Sequence, residues 1–224
     1  MAFIEIKNIF KTYPEAAGIA TPALNGITLN IEKGDFVAIA GPSGSGKTTL
    51  LNLLGALDKP TSGAILFEGK DMTVIPARQL AEFRLKEIGF VFQAYNLINT
   101  LTAVENTEYV MLLQGIDKRT RKERSEAILK RMGLGSFLHR RPAQMSGGQQ
   151  QRVAVARAIA AGSRVILADE PTANLDSATA ADLLDLMKEL NREKGLTFIF
   201  STHDPRVMEK ADRVFQMLDG KILP

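Results

Sequence analysis

The chain has 224 residues, of which 45% are hydrophobic, and this is enough to fill a sizeable core. Its 28 Lys and Arg against 25 Asp and Glu leave a net charge of +3, too small to indicate nucleic-acid binding. The absence of Cys excludes disulfides and thiol chemistry and fits a reducing compartment. No apolar run approaches the roughly 18 residues that cross a bilayer, and Glu5 stands too early for a secretory signal, so we expect any membrane span to come from another chain.

Two short strands are predicted near the N-terminus, at residues 3–7 and 27–31, with a loop between them. Tyr13 stands beside Pro14 in that loop, where a tyrosine is usually a packed or surface ring. Stacking of Tyr13 on an adenine base is the alternative interpretation of these residues.

A glycine-rich bend joins a predicted buried strand at 37–40 to a helix whose leucines recur at helical spacing. The bend fits the pattern G-x-x-x-x-G-K-[ST] with Gly41, Pro42, Ser43, Gly44, Ser45, Gly46, Lys47 and Thr48. Small residues at these positions let successive backbone N–H groups surround a di- or triphosphate at a helix N-terminus. We therefore predict a nucleotide-binding loop that extends to Thr49, in which Lys47 contacts the β- and γ-phosphates and the Thr48 hydroxyl holds Mg²⁺.

The stretch after this helix contains a further strand, a helix and a buried strand. The strand is predicted at 64–67, the helix at 76–85 with Pro76 in its first turn, and the buried strand at 88–92. Gln93 follows the buried strand directly. A glutamine in this place is ordinarily a loop residue, and a role as a ligand is the less common alternative.

An insertion separates the two halves of the predicted core. Lys47 and Asp169 lie 122 positions apart, far more than the roughly 30 residues of a strand–helix–strand unit. Residues 94–145 supply the insertion. Helices are predicted at 104–113 and 121–132, the second with alternating charges that are typical of a solvated face.

A short polar run, Ser146-Gly147-Gly148-Gln149-Gln150, precedes an alanine-rich helix. Ser146 is a typical N-cap, and the two glycines leave backbone N–H groups uncovered at the positive end of the helix dipole. The run is therefore either a second anion site, one without a lysine, or an ordinary capped helix. On these residues alone the capped helix is favoured.

Two adjacent acids end a continuous apolar run. The run at 165–168 is typical of a parallel strand buried on both faces, and Asp169 and Glu170 follow it. Ligands of open α/β sheets gather at the carboxyl ends of the strands. We predict that Asp169 completes the Mg²⁺ shell and that Glu170, which points the other way by strand alternation, deprotonates the attacking water.

The last part of the chain is predicted to form a helix from 174 to about 191, a strand at 197–201 and closing strands at 213–217 and 221–223, with no second domain. His203 stands at the carboxyl end of the strand at 197–201, in a place to hydrogen-bond a γ-phosphate. A lone exposed histidine is the alternative, and the two interpretations carry equal weight.

Taken in this order, the motifs resemble those of the nucleotide-binding subunits of ATP-binding-cassette (ABC) transporters over essentially the full chain. The matching motifs are Walker A at 41–48, the Q-loop at Gln93, the signature at 146–150, Walker B at 165–170, the D-loop at 174–176 and the switch histidine at His203. The sequence around Walker A and Gln93 is most similar to the branch of lipoprotein-releasing, macrolide-export and cell-division ATPase subunits. Two positions depart from the family pattern: Met145 replaces a leucine, and Asn106-Thr107-Glu108 replaces an apolar stretch where a membrane partner is expected.

The resemblance implies an α/β fold. Its centre is a P-loop NTPase core, mainly a parallel sheet with flanking helices, with an N-terminal antiparallel β subdomain and an inserted α-helical subdomain. A single ABC domain would span 1–224, with the nucleotide-binding core at 1–93 and 164–224 and the helical subdomain at about 94–163.

The resemblance also implies ATP and Mg²⁺ as cofactors and a homodimer in the ATP-bound state that holds two nucleotides head to tail. The residues that would contact the ATP bound by the other copy are Ser146, Gly147, Gly148 and Gln149. Tyr13 would stack on adenine.

Gln93 has two implied roles in this arrangement. It would be a Mg²⁺ ligand together with Thr48 and Asp169, and it would act with Glu170, His203 and Lys47 in catalysis. It would also relay the nucleotide state to the helical insertion, whose groove takes a cytoplasmic helix of an integral membrane permease.

The implied function is that of an ATPase subunit that powers a separate permease of the lipoprotein-release or macrolide-export type, peripheral to the cytoplasmic face of the inner membrane. The alternative is a nucleotide-gated regulatory ATPase of the cell-division type, which transmits force or signal without moving cargo. A soluble phosphotransferase would share the phosphate loop, but it would not account for the signature run. It would not account for Glu170 either, because a base at this position suits water as the acceptor of the phosphoryl group.

Overall fold

The computed structural model describes residues 2–14 and 20–223 and contains two sheets flanked by helices. The strands are β1 (Ile4–Pro14), β2 (Ala20–Ile31), β3 (Phe36–Ala40), β4 (Ser62–Phe67), β5 (Lys70–Asp71), β6 (Ile88–Val91), β7 (Val165–Asp169), β8 (Thr197–Thr202), β9 (Arg213–Leu218) and β10 (Lys221–Ile222). The helices are α1 (Lys47–Leu54), α2 (Ala77–Glu87), α3 (Ala103–Leu113), α4 (Lys118–Arg131), α5 (Gly147–Ala160), α6 (Ser177–Lys194) and α7 (Pro205–Lys210). Apart from the first two strands, the predicted elements are present with ends within three residues of those expected.

The larger sheet has the order β10-β9-β3-β8-β7-β6, and all its strand pairs except β9 with β10 are parallel. Both of its faces are buried, because alternate residues of β3 pack on opposite sides: Phe36 against the helices α5 and α6, and Val37 against α1 and the smaller sheet. The carboxyl ends of β3, β7 and β8 therefore lie side by side. This arrangement confirms the predicted P-loop core with flanking helices.

The smaller sheet is antiparallel, with the order β2-β1-β4-β5, and it confirms the predicted N-terminal β subdomain. The loop predicted between the first two strands is wrong for the described residues, because β1 continues to Pro14 and pairs Tyr13 with Thr21. Register shifts along this pair supply the bulges that let long, strongly twisted strands remain hydrogen-bonded. The part of that predicted loop at 15–19 lies outside the described residues.

Three helices fall within the range predicted for the helical subdomain, whose bounds remain a prediction. α3 begins with a capping box of Thr102 and Glu105, and α4 begins at the N-cap Asp117. Exposed pairs such as Arg119 with Glu123 run along α4, as expected for a solvated face. No helix in the described part of the chain is long and apolar enough to span a membrane.

Asn106 begins one of the two stretches that depart from the family pattern, and it is buried. Its side chain is 1% exposed, inside the core between α3 and the segment before it. The amide oxygen accepts from the backbone N–H of Ile98, and the amide nitrogen donates to the carbonyls of Ile98, Leu101 and Thr102. The Ile98 and Thr102 carbonyls also accept from the backbone N–H groups of Leu101 and Asn106, so an apolar side chain would leave the Ile98 N–H and the Leu101 carbonyl without their partner.

We expect Asn106→Leu to lower the free energy of unfolding by about 2–4 kcal/mol, because leucine has a similar volume but leaves the Ile98 N–H and the Leu101 carbonyl without a partner. The measurement is urea unfolding followed by circular dichroism. The control is Thr107→Val, since the Thr107 hydroxyl donates only to the Ala103 carbonyl, one turn earlier in the same helix. The control should cost about 1 kcal/mol or less. An Asn106→Leu protein as stable as the control would contradict the assignment.

Candidate functional site

The glycine-rich loop occupies the space between the end of β3 and the start of α1. The N-cap of α1 is Gly46 with φ 102°, a conformation open mainly to glycine. A side chain at Gly46 would place its Cβ 2.5 Å from the Ala23 carbonyl oxygen, and one at Gly41 would lie 2.1 Å from that of Met217. These glycines are needed so that the loop can close against β2 and β9 at the N-terminus of α1, the end of a helix that attracts an anion.

Lys47 lies 7% exposed at the first position of α1. Its Nζ donates to the carbonyls of Gly41 and Pro42 at 2.8 and 2.9 Å, within its own loop. No carboxylate pairs with Lys47 in residues 2–14 and 20–223. A buried ammonium held only by carbonyl oxygens is a strong attractor for a phosphate.

Oxygen-bearing side chains from three elements meet next to this lysine. The Thr48 hydroxyl donates to both carboxylate oxygens of Asp169, at 3.1 and 3.2 Å, and the Ser201 hydroxyl donates to Oδ1 of Asp169 at 2.7 Å. Such hard oxygen donors are those that Mg²⁺ takes in proteins, so the residues fit the ion. Sequence reasoning missed Ser201, although its place at the end of β8 was a usable signal.

Glu170 and His203 form a pair at the ends of neighbouring strands. Nδ1 of His203 and Oε1 of Glu170 are 2.8 Å apart, and the histidine is 70% exposed while the glutamate is 14% exposed. Oε2 of Glu170 is buried without a hydrogen-bond partner among the described residues. Glu170 also has a φ of 46°, which strains a non-glycine residue. A carboxylate at a strand end, held by a histidine and placed on the wall of the cavity described below, suits a base that accepts a proton from water.

One cavity of about 450 Å³ collects most of the predicted nucleotide residues. Those that line it are Ser43, Gly44, Gly46, Lys47, Thr48, Thr49, Gln93, Asp169, Glu170 and His203. Thr21, Pro22 and Ala23 of β2 complete the wall. The strand order thus brings together motifs that lie far apart in the sequence.

Tyr13 is not among the residues that line this cavity. Its hydroxyl donates to Oδ2 of Asp58 at 2.9 Å, and Nζ of Lys11 lies 4.6 Å from the ring centroid. Burial of the phenol and its bond with Asp58 raise the pKa of Tyr13. Its stacking on adenine stays a prediction.

The signature run lines a second cavity of about 400 Å³, together with the predicted D-loop. Ser146 caps α5 through a capping box, in which its Oγ accepts from the Gln149 N–H and the Gln149 side chain accepts from the Ser146 N–H. Gly147, Gly148 and residues 174–176 face the same space. Lys47 does not, so each cavity holds only part of the predicted ATP contacts.

A buried hydroxyl ties the loop after β7 to the loop after β8. Thr172, two residues after Glu170, donates to Oδ2 of Asp204 at 2.6 Å, and Asp204 directly follows His203. Arg206 donates to both oxygens of the same carboxylate from Nε and Nη2. These bonds hold together the two segments that carry the Glu170–His203 pair, a role that sequence reasoning did not assign.

Neutralising Asp204 should destabilise the fold in a pH-dependent manner. Burial opposes ionisation of this carboxyl, but hydrogen bonds from Arg206 and Thr172 outweigh it and lower its pKa to about 2. A lowered pKa stabilises the fold above the pKa of the unfolded chain, and this contribution is lost as the pH falls from about 4 to about 2. We expect Asp204→Asn to lower the free energy of unfolding near neutral pH by about 1–2 kcal/mol in urea titrations.

The control for this prediction is Asp185→Asn. Asp185 pairs with Lys210 but is exposed, and an exposed pair contributes at most about 1 kcal/mol. The stability of Asp204→Asn should approach that of the unmodified chain as the pH falls below about 4. A difference that stays constant over this interval would show that Asp204 does not act through its charge.

The glycine-rich loop, the oxygen cluster around Asp169 and the adjacent carboxylate of Glu170 define the class: this is a P-loop nucleotide hydrolase of the α/β type. The model of the ABC transporter family matches residues 24–173. The chain belongs to the ABC transporter family, as its motifs predicted, and it is an ATPase of that family.

Several relatives share this sequence over nearly its whole length. The chain is 48% identical over 226 residues to the macrolide export ATP-binding/permease protein MacB of Syntrophobacter fumaroxidans, covering 100% of this chain and 32% of that protein. It is 45% identical over 221 residues to the lipoprotein-releasing system ATP-binding protein LolD of Anaeromyxobacter dehalogenans, covering 98% of this chain and 92% of that protein. The chain therefore spans about a third of the macrolide-export relative and nearly all of the lipoprotein-releasing one.

Solved structures give the same result for the fold. A dimeric bacterial ABC transporter cassette superposes with a TM-score of 0.92 at 42% identity, covering 99% of this chain and 97% of that chain. The same cassette in a post-hydrolysis state bound to ADP and Pi has a TM-score of 0.92 at 41% identity, with the same coverage. The predicted fold class is confirmed.

Proposed function

We propose that this chain is the ATP-hydrolysing subunit of a membrane transport complex and that two copies close head to tail around two ATP molecules. The observation that carries this proposal is the separation of the two cavities. Lys47 and the oxygen cluster line one, and the signature run lines the other. A second copy that places Ser146, Gly147 and Gly148 over the first cavity would complete both sites. The dimeric form of the similar cassette supports the arrangement.

The residues of the first cavity have separate tasks in this proposal. Mg²⁺, held by Thr48 and Asp169 with Gln93 beside them, would offset the negative charge of the phosphates. Lys47 neutralises the phosphate chain as its Nζ leaves the carbonyls of its own loop. Glu170 takes the proton of the attacking water on its carboxylate, and His203 keeps Oε1 in place through its Nδ1.

We propose that the permease docks in a groove of about 440 Å³ between α2, β6, α3 and α5. The groove is lined mainly by apolar side chains, among them Leu85, Phe92 and Ile98. Leu112 and Leu113 on α3 are more than half exposed and large. An apolar groove with exposed leucines on one of its helices suits an amphipathic helix, here a cytoplasmic helix of the permease. The chain would then work at the cytoplasmic face of the inner membrane.

The test of the head-to-tail pair uses Glu170→Gln, which keeps the site but removes the base. With ATP and Mg²⁺ this variant should form a dimer in analytical ultracentrifugation, and with ADP it should stay monomeric. The control is Glu170→Gln with Ser146→Arg, whose long side chain would block the second cavity and should prevent dimerisation. A Glu170→Gln protein that binds ATP but remains monomeric would refute the proposal.

A further inference from the structure

The loop that follows β6 is strained. Tyr95 and Asn96 have φ of 61° and 48°, in the left-handed region that non-glycine residues rarely adopt. Its own backbone bonds are two, from the Tyr95 N–H to the Phe92 carbonyl and from the Asn96 N–H to the Ala94 carbonyl. Asparagine tolerates this region, but a tyrosine there persists only where surrounding groups hold it. The loop begins at Gln93, which lines the Lys47 cavity.

The group that holds the loop is the guanidinium of Arg157 on α5. Its Nη1 donates to the Asn96 carbonyl at 2.6 Å and its Nη2 to the Tyr95 carbonyl at 2.9 Å. Burial lowers the pKa of Arg157, and no carboxylate pairs with it in the described parts of the chain. The two carbonyls of the loop are thus the hydrogen-bond partners of this cation.

A second contact joins the same loop to the first residue of α5. A Cβ on Gly147 would lie 2.8 Å from the Tyr95 hydroxyl and 3.7 Å from the ring carbon that carries it, so the tip of the tyrosine rests against the backbone of Gly147. Gly147 and Arg157 are ten residues apart, about 15 Å along the helix axis. Contacts at two well-separated points fix the direction of α5 relative to Gln93.

We propose that Arg157 and Tyr95 are positioning residues that set the signature end of α5 according to the state of Gln93. In the proposed dimer, on which this inference rests, Gln93 belongs to one nucleotide site while the start of α5 completes the other. A displacement of Gln93 at one site then moves α5 as a unit and changes the second site. The bond from Asn174 Nδ2 to the Gln93 carbonyl, at 3.0 Å, joins the D-loop to the same unit.

An ordinary structural anchor is the alternative role for Arg157. An anchor would affect how much of the chain is folded, and it would leave the association of folded copies unchanged. A positioning role weakens association, and a defect in association is overcome by raising the protein concentration. ATP turnover as a function of protein concentration therefore distinguishes the two roles.

The test introduces Arg157→Lys into the Glu170→Gln chain. Lysine keeps the positive charge but lacks the planar fork that reaches two carbonyls at once. We expect the affinity of the monomer for a fluorescent ATP analogue to change less than about twofold, and the dimer dissociation constant with ATP and Mg²⁺ to rise about tenfold. With Glu170 intact, Arg157→Lys should lose about tenfold in turnover at low protein concentration and recover at high concentration. Tyr95→Gly, which removes the ring and relieves the backbone strain, should act in the same direction.

The matched control is Arg121→Lys, because Arg121 also donates to a loop carbonyl, that of Ile116, but does not touch residues 93–96. Its dimerisation should match that of the parent. Normal dimerisation of the Arg157→Lys chain would overturn this inference and leave the proposed function standing. An equal loss of dimer affinity in the Arg121→Lys control would have the same consequence. If the parent Glu170→Gln itself fails to dimerise, the proposed function fails first and the inference fails with it.

Discussion

Replacing Glu170 with glutamine in the unmodified chain is expected to reduce ATP turnover by about 10³-fold, within the range that general base catalysis supplies. The amide has nearly the same shape but cannot accept a proton at neutral pH. Binding of ATP should change little, because Lys47, Thr48 and the loop amides are untouched. Steady-state phosphate release gives the turnover, and a fluorescent nucleotide gives the affinity.

The backbone around Glu170 allows the substitution to test whether Glu170 is the general base. The Glu170 N–H donates to the Ser201 carbonyl, and its own carbonyl accepts from the Ala173 N–H. These bonds hold the strained backbone whichever side chain is present, so glutamine should keep the same conformation. Loss of activity in Glu170→Gln would then report the missing base and not a displaced loop.

Two comparison variants separate Glu170 from its neighbour. His203→Ala should reduce turnover less than Glu170→Gln, by about 10-fold to 10²-fold, if the histidine orients the carboxylate and does not itself take the proton. The double variant should be no worse than Glu170→Gln alone, because residues that act as a unit are not additive. A Glu170→Gln chain with more than about a tenth of normal turnover would assign the base to another residue.

Local patterns were enough to predict the phosphate loop and the two acids at 169 and 170, whereas the subdivision of the fold and the roles of Gln93 and His203 came from the family resemblance. The glycine loop followed from its own motif, and the places of Asp169, Glu170 and His203 followed from the rule that parallel strands present their carboxyl ends to a ligand. Residues that meet at one sheet edge can therefore be named without knowing which strands are neighbours.

What could not be predicted depends on contacts between segments far apart in sequence. Tyr13 was placed in a loop because Pro14 and small residues follow it, yet bulged pairing extends β1 through it. The buried role of Asn106 depends on backbone groups at 98–102 that point inward. The hydrogen bonds from Arg157 to the carbonyls of Asn96 and Tyr95 connect residues that are 61 and 62 positions apart. Nothing in the sequence around either end indicates them.

Lys47→Met should remove the stabilisation of the fold by ATP without lowering the stability of the nucleotide-free chain. The ammonium of Lys47 is buried and satisfied only by two carbonyls, so its desolvation is poorly offset until a phosphate arrives. Methionine keeps most of the length and packing of the side chain and has no charge to desolvate. We expect the melting temperature without nucleotide to stay the same or rise, while the increase on adding ATP is lost.

The magnitude of this effect follows from mass action. A ligand present at 100 times its dissociation constant stabilises the fold by about 2.7 kcal/mol, so a loss of about 10²-fold in affinity would remove most of the ATP-dependent increase. Lys47→Arg is the matched control, because it keeps the charge but carries a larger planar group that the narrow loop does not fit as well. It should retain part of the increase and little turnover. An undiminished ATP-dependent increase in Lys47→Met would mean that the phosphate chain lies elsewhere, since the only charge at the start of α1 would have been removed without consequence.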